Sequence, residues 1–134
     1  MKLSILLKEL QKDFELKEPF AEAAPGIWQV PVDEDVTITL SETTSGMSPG
    51  VILSTSFIEM PIGDEEELYR QMLLANLNGQ GTKGATLALS EDGRRLILSR
   101  VIDYDVNFKD FRDMLDDFIS VVDFWREEVS TRGK

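Results

Sequence analysis

Few residues in this chain have both the type and the spacing for chemistry. Gly79-Gln80-Gly81-Thr82-Lys83-Gly84 spells G-x-G-x-x-G. Glycines at that spacing let a backbone approach a pyrophosphate, but only where a strand leads in and a helix leads out, so that the helix N-terminus meets the phosphates. Here the apolar pattern puts a helix before the loop and a strand after it, and Ala85-Thr86 stands where a phosphate loop needs Lys-Ser/Thr. The stretch reads instead as a connection that needs positive φ. Asp103, Asp105 and Asn107 have the first three ligand spacings of an EF-hand, yet Phe108 and Met114 occupy the positions that need Gly and Glu. That segment reads as an acidic helix entry. The chain has no His and no Cys, which removes the commonest general base, the Ser/His/Asp triad and thiolate chemistry. Its 25 acidic residues leave a small carboxylate-dependent hydrolase formally open. Glu34, Asp35, Glu91 and Asp92 fall in turns, however, and no nucleophile, base and orienting group can be assembled. The expectation is a non-enzyme with no catalytic residue, no metal and no cofactor.

The function has to be sought in binding surfaces, and composition narrows the partners. A chain of 134 residues reads as a single domain, 1–134. A formal net charge of −11 opposes a phosphate backbone, so no nucleic-acid partner is expected; a basic or apolar partner suits it better. No segment approaches the ~20 apolar residues of a membrane span. Met1 to Phe14 lacks the continuous apolar region and small-residue cleavage site of a signal peptide. With no Cys, a reducing, cytoplasmic setting fits.

The elements that could build such surfaces follow from periodicity. Leu3, Leu6, Leu7, Leu10 and Phe14 step as one helical stripe, predicting a helix from Lys2 to about Phe14. Pro19 and Pro25 mark an irregular connection. Ile27–Val32 reads as a strand, placed at a sheet edge because Pro31 cannot donate to a ladder. Val36 to Leu40 alternates cleanly, Ser41 to Pro49 is loop, and Val51 to Met60 is a third strand. The stretch Asp64 to Ile102 organises the rest. A helix spans Asp64 to Leu77, with Asp64 as N-cap and Glu67 as its capping-box partner. The glycine loop follows, then a hairpin of Ala85–Leu89 and Leu96–Ile102 turning at Asp92-Gly93. Asn107 can cap a last helix, about Phe108 to Glu128, leaving a frayed tail from Ser130 to Lys134. The predicted fold is α+β: a twisted antiparallel sheet of about five strands with three helices, in the order α-β-β-β-α-β-β-α.

The central helix carries two apolar stripes, Leu68, Met72 and Ala75 beside Tyr69, Leu73 and Leu77, with Leu74 adjoining. One stripe serves a core; two point to a further chain. A two-fold interface is therefore expected to use Leu68, Met72, Leu73 and Ala75 together with the hairpin arm Leu96, Leu98 and Arg100. The first helix and first strand are expected to hold the other partner, through Leu3, Leu6, Leu7, Leu10, Phe14, Ile27, Trp28 and Val30. In that reading Leu3 and Leu7 are only partly covered, and Trp28 is the anchor.

Leu73-Leu74-Ala75-Asn76-Leu77 entering a glycine loop, then Gly84-Ala85-Thr86-Leu87-Ala88-Leu89, then Asp92-Gly93-Arg94-Arg95-Leu96-Ile97-Leu98-Ser99-Arg100 and a last helix ending Phe124-Trp125-Arg126, resemble the class I chaperones of type III secretion, the Tir-chaperone-like proteins, with a chlamydial flavour. The likeness runs over nearly the whole chain in element order and acidity, and is sharpest from Leu73 to Ile102. It implies a bacterial, cytoplasmic homodimer, or a heterodimer with a related chaperone, that binds an extended segment near the N-terminus of a secreted effector or gatekeeper and keeps it competent for secretion. It implies no catalysis. A regulatory or structural subunit that heterodimerises through the same central surface is the alternative.

Overall fold

The computed structural model describes residues 2–43, 50–79 and 81–132. The chain runs α1 (Leu3–Asp13), β1 (Ala21–Ala24), β2 (Ile27–Pro31), β3 (Thr37–Thr43), β4 (Gly50–Glu59), α2 (Glu65–Asn78), β5 (Thr86–Leu89), β6 (Arg95–Ile102) and α3 (Phe108–Arg132). The strands form one antiparallel sheet in the order β1-β2-β3-β4-β6-β5. This is the α+β class and helix–strand order read from the sequence, with six strands in place of about five. The expected loop at residues 44–49 lies outside the described residues, as do Gln80 of the glycine loop and the last two residues of the tail. Ser41 to Thr43 extend β3, and Ser130 to Arg132 continue α3.

The extra strand is β1. It joins β2 through Pro25-Gly26, with Gly26 at φ +77°, the geometry that a proline followed by a glycine offers a tight turn. β1 therefore takes the edge position expected of β2. Its pairing stops at Ala21 opposite Gln29, so Pro31 lies beyond the ladder with β1, where a residue without an N–H is tolerated.

Register sorts the sheet residues onto two faces. Trp28, Val30, Ile38, Leu40, Val51, Leu53, Leu96, Leu98 and Ile102 share one face through the pairs Trp28↔Leu40, Val30↔Ile38, Leu40↔Leu53, Val51↔Ile102 and Ile58↔Leu96, and all but the half-buried Trp28 are buried. Buried Thr55 belongs to that face and is satisfied by donating to Thr37 O at 2.9 Å. The other face carries Gln29, Thr39, Ser41, Ile52, Ser54, Ile97, Ser99 and Val101, each half-buried or exposed.

The helices close the core. Leu3, Leu6, Leu7 and Leu10 of α1 and Phe111, Leu115, Phe118, Val122, Trp125 and Val129 of α3 all join it. The Asp110 N–H donates to Asn107 Oδ1 at 2.8 Å, so Asn107 is the cap the sequence implied. Two arginines of α3 tie neighbouring segments to it. Arg112 pairs with Asp13 and lies over the Phe14 ring. Arg126 donates to Asp33 at 2.7 Å in the β2–β3 turn. Asp33 also accepts from the N–H groups of Asp35 and Val36; the Asp35 N–H first, then Arg126, hold its carboxyl below the ordinary 3.8.

The start of α2 departs from the capping box. Asp64 sits at φ +58° and makes no side-chain cap. Glu65 does the work nearby, its carboxylate accepting from the Gly63 N–H at 2.8 Å, which lowers its pKa. A left-handed Asp64 turns the chain sharply after Gly63 and aims Leu68 and Met72 into the core.

Candidate binding surfaces

α2 divides the apolar residues of the central stretch. Leu68 is 0% and Met72 5% exposed, whereas Leu73 is 69% and Leu77 82% exposed. Tyr69 and Leu74 complete the outer stripe, and with Glu66 and Arg70 these side chains line a shallow apolar hollow along the helix. Helical geometry explains the split: positions 68, 72 and 75 share one side, while 69, 73 and 77 lie about one residue's rotation away.

The loop after α2 is pinned from beneath. Trp125 Nε1 donates to Gly81 O at 3.1 Å, and Arg100 Nη1 donates to Lys83 O at 2.6 Å. Gly79, Lys83 and Gly84 all have positive φ. At Gly84 an added Cβ would meet Arg100 Nη1 at 2.9 Å, so glycine there serves a close approach as well as a turn. The G-x-G-x-x-G spacing is thus spent on joining a helix to an edge strand.

A second surface lies at the other end of the sheet. All four residues of β1 are exposed. Around it Leu16 and Ile27 are exposed apolar side chains, and Leu16, Pro19, Phe20, Ala21, Gln29, Pro31 and Thr37 line a mainly apolar hollow together with Lys17 and Glu18.

Of the partner-binding residues read from the sequence, Leu3, Leu6, Leu7, Leu10 and Val30 lie in the core, Trp28 is half-buried against it, and Phe14 and Ile27 reach the surface. Leu3 and Leu7, expected to be partly uncovered, are 1% and 4% exposed, because the long α3 covers α1. Of the residues expected at the two-fold interface, Leu68, Met72, Leu96 and Leu98 are buried, Ala75 and Arg100 half-buried, and Leu73 is exposed. Exposed apolar side chains on these surfaces also include Ile5 and Leu16, besides Tyr69, Leu74 and Leu77 of the outer α2 stripe. Their signal was available: each is an apolar residue that falls off the core stripe of its segment.

An open antiparallel sheet backed by helices, with an apolar helix face at one end and an uncovered edge at the other, defines a small binding module. The sequence model of the Tir chaperone protein (CesT) family matches residues 5–126. The chain belongs to that family. It is 26% identical over 107 residues to a Chlamydia pneumoniae protein, covering 79% of each. Its fold is similar to that of a chain in the HopA1–SchA chaperone–effector complex, at TM-score 0.71 and 18% identity over 92% of this chain and 91% of that one. It is also similar to that of a chain in the complex of the Yersinia pestis type III secretion chaperone SycH with a fragment of YscM2, at TM-score 0.64 and 19% identity over 90% and 93%. Among the described residues no helix is long and apolar enough to cross a membrane.

Proposed function

We propose that this protein is a type III secretion chaperone that pairs with a second copy, or with a related chaperone, through the outer face of α2, and holds an extended segment of a secreted effector or gatekeeper at the β1 end of its sheet. The observation that carries the binding half is the exposed β1 edge lying beside Leu16, Ile27 and the Phe20–Pro31 hollow. Backbone groups on such an edge accept an added strand, and apolar side chains beside it supply the rest of the affinity. A segment held unfolded loses conformational entropy, so the contact has to be long and apolar. The net charge of −11 keeps the complex soluble and favours a basic segment. The proposed setting is the bacterial cytoplasm, and the proposed role needs no catalysis.

The test is capture of proteins from native cytosol by tagged chaperone, read by mass spectrometry, followed by Ile27→Asp and Leu16→Asp. Both variants should lose the captured effector while remaining folded by circular dichroism, because neither side chain lies in the core. If the same effector is captured equally by both, the segment binds elsewhere.

A further inference from the structure

The two ends of the sheet are finished differently. α2 lies beside β5, and Asn76 reaches the outer edge of that strand. Its Nδ2 donates to Leu87 O at 2.8 Å, and Leu87 N donates to its Oδ1 at 2.8 Å. A primary amide carries the same donor and acceptor as a peptide group. The two bonds therefore close the ring that a residue on a neighbouring antiparallel strand would close. Leu87 stands opposite Leu98 of β6, and since both its backbone groups turn to Asn76, they point away from β6. β5 has four residues, and alternation turns Leu87 and Leu89 outward, so Asn76 takes up the more central of the two positions with which an incoming strand would pair. The next outward position back, Ala85, already donates to Thr82 O at 3.0 Å. At β1, by contrast, the carboxylate of Glu22 accepts from the Gly26 N–H of its own turn and does not cross the strand's outer edge.

Unpaired edges are templates for any extended chain, including a wrong one. We propose that Asn76 is a plug that closes the β5 edge to strand addition, so that an extended chain joins this sheet at β1. The β1 half rests on the chaperone reading above; the plug does not. A protein whose partners are unfolded segments needs this distinction, because an open second edge would let one segment bridge two sheets or two copies join edge to edge.

The absence of cysteine makes the test direct. Ala21→Cys on β1 and Ala88→Cys on β5, both exposed positions in register with the neighbouring strand, are each offered a short alternating Thr-Val peptide bearing one cysteine and terminal lysines, and disulfide capture is timed under mild oxidation. In the otherwise native chain Ala21→Cys should capture the peptide and Ala88→Cys should lag by about tenfold or more, the factor that displacing two ordinary hydrogen bonds allows. Adding Asn76→Leu should raise capture at Ala88→Cys to the β1 level. A role confined to stability would lower the melting temperature without any gain in capture. Should Asn76→Leu fail to fold by circular dichroism, Asn76→Asp keeps an acceptor for the Leu87 N–H, loses the donor to its carbonyl, and should show the same direction. Equal capture at both edges of the native chain, or no gain at β5 in a folded Asn76 variant, overturns the plug. A gain at β5 with no capture at β1 keeps the plug and overturns the β1 assignment.

Discussion

Leu73→Asp separates assembly from folding. Leu73 is 69% exposed and lies on the outer face of α2 with Tyr69, Leu74 and Leu77. Burying a whole leucine side chain contributes about 1.5–3 kcal/mol, so covering what Leu73 still shows to water contributes about 1–2 kcal/mol. In a two-fold contact the same residue enters from both sides, which doubles this to about 2–4 kcal/mol and corresponds to a dissociation constant raised roughly 30- to 1,000-fold. The introduced carboxylate, which a covered seam would strip of water, acts in the same direction. The fold should be spared, because the core stripe of Leu68 and Met72 is untouched. Met72→Glu makes the opposite comparison: at 5% exposure the new charge enters the core and should unfold the chain. Sedimentation velocity across a concentration series gives the assembly state, and thermal melting gives the fold. The reasoning is refuted if wild-type protein alone, and with its captured partner chaperone, stays monomeric at tens of micromolar, or if folded Leu73→Asp assembles as tightly as wild type.

Gly84→Ala should destabilise by more than the ~1 kcal/mol typical of glycine replacement at positive φ, because the new methyl also meets Arg100 at 2.9 Å. Arg100→Ala in the same chain should recover part of the loss, measured by denaturant unfolding. Asn107→Ala removes the acceptor for the Asp110 N–H and should cost about 1 kcal/mol by the same measurement. Asp33 has a folded-state pKa below its ordinary 3.8. Its contribution to stability is therefore present above that value and is lost as pH falls from there through the lowered one. Arg126→Gln should move the Asp33 titration upward without restoring the ordinary value, since the Asp35 N–H remains its first cause. A carboxyl-carbon NMR titration that does not move would show that the ion pair is not maintained in solution.

The elements legible in the sequence are those whose two sides differ. α1, α3 and the alternating β3 each bury one face, and their apolar spacing announces it. β1 has the sequence Ala-Glu-Ala-Ala and every residue exposed; a strand with no buried face leaves no periodicity, and only the Pro25-Gly26 turn marks it. The same physics explains why exposed apolar positions are harder to read than the core. The i, i+3, i+4, i+7 stripe of Leu3, Leu6, Leu7 and Leu10 is what a core demands, so a list of the most regular apolar positions selects the core first. The surface is written in what remains after that stripe is taken out: Ile5 on α1, and Tyr69, Leu73, Leu74 and Leu77 on α2. Leu73 could be chosen from sequence because α2 holds more apolar residues than one side can take. Asn76 could not, since an asparagine in the last turn of a helix reads equally as a cap or a solvated side chain until the strand beside it is in place. Periodicity thus locates the core and counts its surplus, whereas a role that lies in completing another strand's hydrogen bonds becomes visible only when the topology has brought α2 and β5 together.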